Sequence, residues 1–281
     1  MKLPIDLIFP WLVSRKIVVP TLYVNKLSSH PDHLQFAKFG NSPTVLNLTT
    51  VIFMQPGIVR KRFFSHEWCA QLMNVCPNLQ IITGVKISAD VLLDHVHLKK
   101  FDGTQPEKFA QSRLVLPSNV TDLSLKDYIS NPMLVQTLTS CTKLTKLTVY
   151  NRDPGDPEDE DSDMEDIPPD FVLCSPAVYA MMPITLQELY LAPLNSTEGM
   201  EVMLQQCRAL STLMLSLTVN LPQNLVDMMF QLPCIEVLFL DCVENHSVRE
   251  LSVHITACPT LSRLLLYGFV HVNEAVKRSI R

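Results

Sequence analysis

The sequence predicts an α/β protein in which short strands and helices alternate and the strands share one parallel sheet. Three observations carry that expectation. An apolar-x-x-apolar-x-apolar frame recurs along the chain, its copies return about every two dozen residues, and apolar residues between copies recur at helix spacing.

The copies are Cys76-Pro-Asn-Leu79-Gln-Ile-Ile82, Val120-Thr-Asp-Leu123-Ser-Leu125, Leu144-Thr-Lys-Leu147-Thr-Val149, Leu186-Gln-Glu-Leu189-Tyr-Leu191, Leu210-Ser-Thr-Leu213-Met-Leu215, Ile235-Glu-Val-Leu238-Phe-Leu240 and Leu261-Ser-Arg-Leu264-Leu-Leu266. Counted from the first apolar residue, the steps are 24 from Val120 to Leu144, 24 from Leu186 to Leu210, then 25 to Ile235 and 26 to Leu261. The step of 42 from Leu144 to Leu186 contains an acidic stretch, and taking it out restores the period. A weaker copy at Leu98-Lys-Lys-Phe101 divides the 41 residues between Leu79 and Val120. Within each copy the side chains alternate across a short strand, so the leucines enter the core and their neighbours face out.

Taken in order, residues 1–60, where Leu34, Val45 and Leu48 fit the frame loosely, are expected to cap the stack, as is the tail from Val270. Residues 61–281 are expected to form the main domain. A helix is predicted over Leu221–Leu232, where Leu225, Met228, Met229 and Leu232 share one face. Another is predicted over Ser247–Cys258, which Ser247 and Glu250 would open as a capping box. One strand and one helix cannot bury their own apolar faces, so neighbouring units must stack. The spacings fall in the leucine-rich-repeat range. The expected object is therefore a curved leucine-rich-repeat solenoid, with the parallel sheet on its concave face and the helices on its convex face.

Composition agrees. Over 281 residues, 47% hydrophobic and 18% charged side chains support a well-buried core. The 7 glycines form neither G-x-G-x-x-G nor a Walker-type loop, so no nucleotide cofactor is expected. Of the 8 cysteines, Cys76, Cys141, Cys207 and Cys258 share one place in the frame, just before the strand, where they would form a buried column of small apolar side chains. A secreted disulfide scaffold is not expected, because Leu7–Val13 is short for a signal sequence, contains Pro10 and follows Asp6. The triplets beginning at Asn47, Asn119 and Asn195 match the glycosylation sequon but mean little without secretion. No apolar run reaches membrane-spanning length. A cytoplasmic or nuclear location is expected, with no membrane partner.

The net charge of -5 comes from one segment. Residues 151–170 carry ten acidic residues and one basic one, leaving 22 Lys+Arg against 18 Asp+Glu elsewhere. Four prolines and few apolar side chains predict a disordered acidic insertion projecting between two units. It is either a solvated spacer or a regulatory loop; Ser162-Asp-Met-Glu165 would suit an acidophilic kinase, making Ser162 a candidate phosphorylation site. The remaining basic residues are scattered apart from Arg60-Lys-Arg62 and the tail, so nucleic-acid binding is not expected.

No catalytic or metal-binding pattern stands out. His95 and His97 have no carboxylate or cysteine at ligand spacing, and Cys234, Cys242 and His246 straddle a predicted strand without a CxxC. Nor is there a G-x-S-x-G or H-E-x-x-H motif. The sequence offers a surface for binding and no chemistry, so an enzyme is not expected.

That surface follows from the frame. Residues two, four and six positions after each marker would face out and align across the sheet. The middle lane reads Ser124, Thr148, Tyr190, Met214, Phe239 and Leu265; the last reads Lys126, Tyr150, Ala192, Ser216, Asp241 and Tyr267. Solubility would be served by polar residues here, so the apolar and aromatic cluster points to a partner. Tyr150, Tyr190, Met214, Phe239, Asp241, Leu265 and Tyr267 are the candidate partner-binding residues on the concave face.

The Cys-x-x-Leu-x-x-Leu-x-Leu units, over residues 76–267, resemble the cysteine-containing leucine-rich repeats of F-box proteins. Leu3-Pro-Ile-Asp-Leu-Ile8 is similar to the opening of an F-box, and Ser14–Tyr23 to the segment where such a box gives way to its repeats. The chain between them is too short for the family's three-helix box, so the adaptor-binding helices are missing or degenerate. The resemblance implies a substrate-receptor-like subunit of a cullin-RING (SCF-type) ubiquitin ligase, with a ligase adaptor as a further partner. The alternative is a free-standing scaffold that binds or sequesters a protein without ligase docking.

Overall fold

The computed structural model describes residues 20–25, 49–54, 76–86, 96–104, 116–126, 129–150, 174–246 and 258–269. They form a single sheet whose strands are β1 (Thr21–Asn25), β2 (Thr50–Met54), β3 (Ile81–Lys86), β4 (Lys100–Thr104), β5 (Asp122–Lys126), β6 (Lys146–Tyr150), β7 (Glu188–Leu194), β8 (Thr212–Leu217), β9 (Val237–His246) and β10 (Arg263–Phe269). The spatial order of the ten strands is their order in the chain, and every pairing is parallel. Parallel neighbours need a crossover, and four crossovers among the described residues carry helices: α1 (Asn131–Ser140), α2 (Pro176–Ala180), α3 (Met200–Gln206) and α4 (Gln223–Phe230). Each helix packs on the next. The fold is thus α/β with one all-parallel sheet.

A turn sets up the strands. The backbone N–H groups of Leu79, Val120, Leu144, Leu186, Leu210, Ile235 and Leu261 donate to carbonyls three residues back, at Cys76, Pro117, Cys141, Pro183, Cys207, Leu232 and Cys258. This explains why Cys or Pro so often leads the frame. A spine of shared acceptors follows. The Thr121 carbonyl accepts the N–H groups of both Thr145 and Lys146, that of Thr145 accepts Gln187 and Glu188, and the same arrangement runs from Pro20 to Glu236. Side-chain hydroxyls join it: Thr121 donates to the Lys99 carbonyl, Thr145 to Thr121, Ser211 to Gln187 and Ser262 to Glu236.

Alternation along the strands decides what is buried. Leu123, Leu125, Leu147, Val149, Leu189, Leu191, Leu213, Leu215, Leu238 and Leu240 are buried, as are Leu134 and Leu138 of α1, Val178 and Tyr179 of α2, Met203 and Leu204 of α3, and Leu225, Val226 and Met229 of α4. They belong to one apolar core running from Val51 to Leu264. Burying a leucine or valine of this kind is worth about 1.5–3 kcal/mol relative to exposure. The cysteine column is buried as expected, with Cys76, Cys141 and Cys207 fully covered and Cys258 nearly so. The Cys207 thiol donates to the Pro183 carbonyl across 3.4 Å. Burial pushes the Cys76 and Cys207 thiols up to about 12 and that of Cys141 to about 11.

The helices are stitched by polar contacts. The Ser175 N–H donates to the Asn131 side-chain carbonyl, tying the start of α2 to that of α1. Gln206, ending α3, donates to the carbonyls of Tyr179 and Met182. Gly199, just before α3, has φ +82, and a Cβ there would stand 2.7 Å from the Pro176 Cα, so both conformation and space demand glycine.

The helix expected over Leu221–Leu232 is α4, shorter at both ends, with Leu221 and Leu232 buried beside it. The weaker copy at Leu98 precedes β4, and β1 and β2 arise within residues 1–60. One outward position differs from expectation. Ala192 is 2% exposed, because the pairing of β7 with β8 shifts between Leu191 and Leu194 around the cis Ala192-Pro193 bond. The acidic insertion at 151–170 with Ser162, the segment Leu3–Ile8, residues 34–48, residues 247–257 of the second expected helix, His95 and the tail from Val270 lie outside the described residues.

Candidate functional site

Because the strands pair in register, side chains facing away from the helices align into lanes. The middle lane joins Asp102, Ser124, Thr148, Tyr190, Met214, Phe239 and Leu265 through successive pairings. Beside it, Lys126 is paired with Tyr150, and Ser216 with Asp241 and then Tyr267. On the other side the lane runs Lys100, Asp122, Lys146, Glu188, Thr212, Val237 and Arg263.

The face has two halves of different chemistry. From β4 to β7 it is a ladder of alternating charge. Lys100 meets Asp122 at 2.6 Å, Lys126 meets Asp102 at 2.9 Å and Lys146 meets Glu188 at 2.5 Å. Hydrogen bonding to Glu188 raises the Lys146 pKa, and the charges of Glu188 and Asp122 add to it against burial. The ladder escaped the sequence reading, although its signal was present: the first outward position reads Lys, Asp, Lys, Glu from β4 to β7. These pairs are part-exposed and satisfy one another, so each is worth only about 0–1 kcal/mol.

From β7 to β10 the face is apolar and aromatic. Tyr190, Met214 and Phe239 are half-buried neighbours along the middle lane, while Leu265 is 42% and Tyr267 55% exposed. The Phe239 and Tyr267 rings lie 5.4 Å apart between centroids and tilted by 39°, within the range of favourable aromatic pairs. Tyr150 stands exposed at the end of β6. Partial burial raises the Tyr190 pKa, with Tyr150 and Asp241 adding to the rise, which places that phenol within electrostatic reach of both. The fold therefore brings Tyr190, Met214, Phe239, Asp241, Leu265 and Tyr267 onto one continuous patch, with Tyr150 at its margin. Ser124, by contrast, is 9% exposed, so the middle lane is open chiefly at its later strands.

Elsewhere, Cys234 is exposed and Cys242 buried, and among the described residues no three His, Cys, Asp or Glu side chains are grouped to hold a metal. No helix among the described residues is long and apolar enough to cross a membrane. No protein-family model matches the chain, and no curated protein matches it.

Proposed function

We propose that the chain is a non-catalytic protein-binding module, a leucine-rich-repeat solenoid that holds a protein partner on the open face of its sheet. The observation that carries this is the patch of Tyr190, Met214, Phe239, Leu265 and Tyr267, which continues across β7–β10 on the side away from the helices. A face needing only solubility would present polar side chains, and apolar patches of this kind mark interaction sites. Frame steps of 24 to 26 residues, parallel pairing in chain order and a recurring turn support the solenoid reading.

The test is capture of partners from the source cell with the native chain and with the double variant Tyr190→Ala, Phe239→Ala. Loss of a stoichiometric partner at unchanged melting temperature is expected. Unchanged capture, or a collapsed fold, would overturn the assignment. The F-box resemblance of the amino-terminal segment adds a finer proposal, that the module is a substrate-receptor-like subunit of a cullin-RING ubiquitin ligase. Adaptor and cullin among the co-purifying proteins support it; a single partner without them makes the chain a free-standing scaffold.

A further inference from the structure

The two halves of the sheet face treat charge differently. On β4–β7 the ladder pairs Lys100 with Asp122, Lys126 with Asp102 and Lys146 with Glu188. Within the outward positions of β8–β10 that face the patch, Asp241 is the one acid, and it takes part in none of these ion pairs. Its neighbours across the sheet are Ser216 and Tyr267. The Ser216 hydroxyl donates to one carboxylate oxygen at 3.3 Å, a neutral contact that leaves the charge uncompensated. Arg263, the one base on these outward positions, lies four positions up the next strand, on the order of 13 Å away.

The surroundings of Asp241 complete a recognisable chemistry. Phe239 is two positions earlier on the same strand and face, Tyr267 is directly opposite, and Tyr190 feels the Asp241 charge from two strands away. A half-buried anion ringed by aromatic faces suits a cation with an apolar stem. The aromatic quadrupole and the carboxylate then attract the same group, and an arginine or lysine lays its methylenes on the rings.

Resting on the partner-binding reading of this face, we propose that the patch seats a polypeptide segment presenting an arginine or lysine, whose cation meets the Asp241 carboxylate while its stem lies against Phe239, Tyr267 and Tyr190. Aliphatic residues flanking that cation would cover Met214 and Leu265. The site is one for a basic-apolar peptide, and the charge it offers is the one the rest of the face has already neutralised elsewhere.

The test uses the full chain against a displayed library of random dodecapeptides, with Asp241→Asn and Phe239→Ala/Tyr190→Ala as comparison baits. Selected peptides should carry a basic residue flanked by apolar ones, and a synthesised winner should bind Asp241→Asn about tenfold more weakly. Asp241→Asn should melt like the native chain, since only the Ser216 contact changes. Apolar winners with no basic enrichment, lost on Phe239→Ala/Tyr190→Ala but indifferent to Asp241→Asn, would overturn this inference and leave the binding face standing. Selection that survives Phe239→Ala/Tyr190→Ala, or that yields no peptide, would overturn both. Concentration-dependent dimerisation abolished by Phe239→Ala would put a second copy of the chain on the patch and also overturn the inference.

Discussion

Lys146 on β6 and Glu188 on β7 stand directly opposite each other and form an ion pair, although 42 residues of chain separate them. The pairing of the two strands continues without a shift from there to Tyr150 and Ala192. The long crossover, acidic insertion included, therefore adds chain without changing the register that the turn at Pro183 and the Thr145 carbonyl set.

Replacing residues 151–170 by a short Gly-Ser linker is accordingly expected to leave the sheet intact. The loop-closure contribution changes only slowly with length, so stability should move by about 1 kcal/mol or less. Thermal melting and amide exchange at β6 and β7 check this; loss of protection at Lys146–Tyr150 would show that the insertion supports the pairing.

Leu238 and Phe239 are consecutive and face opposite sides of β9. Leu238 is fully buried, so Leu238→Ala should cost about 2–5 kcal/mol. Phe239 is half-buried on the open face, and Phe239→Ala should cost about 1 kcal/mol, mostly from its ring contact with Tyr267. Urea denaturation measures both, and equal losses would mean that the outer face is packed like the core.

Alkaline pH should destabilise the protein through its buried thiols. Cys76, Cys174 and Cys207 are raised to about 12, and Cys141 and Cys242 to about 11, each because burial disfavours the thiolate. With folded values above the ordinary 9.0, the native chain holds more protons than the unfolded one between the two. The stabilisation is complete below pH 9 and lost as pH climbs toward 11–12. Melting temperature against pH should fall over that window, and Cys207→Ala should flatten the fall; an unchanged slope in that variant would remove the thiol from the account.

Gly199→Ala should destabilise by about 1–3 kcal/mol, since alanine disfavours a positive φ and its methyl meets Pro176. Chemical denaturation measures it. A neutral result would require the starts of α2 and α3 to separate at no cost.

The sheet from β5 onward could be read in advance because Leu123, Leu147, Leu189, Leu213, Leu238 and Leu264 repeat one spacing and alternate with polar or aromatic neighbours. The strands β1 and β2 could not. Val51 lies 31 residues before Ile82, its register partner, so no fixed interval announces it. Helices α1 to α3 were similarly hidden: at five to ten residues they are too short for apolar periodicity to stand out, and Pro132, Pro176 and Gly199 look like loop residues until their places at helix starts are seen. For the site, alternation placed Tyr190, Met214, Phe239, Leu265 and Tyr267 on one face. It failed at Ala192, where a shift in pairing breaks the two-residue period. The hydroxyl of Thr145 looked merely polar in sequence, because its acceptor belongs to the preceding strand's approach and is defined only once neighbours pair.

Because spatial order and chain order coincide, each strand's neighbours are those synthesised just before and just after it. A polypeptide emerging amino end first thus meets a finished docking edge with every new strand, and no strand must thread between two already joined. Each arrival also shields the bare amides and carbonyls of its predecessor, so the sticky margin that sheet proteins must guard is never more than one strand long at the growing end.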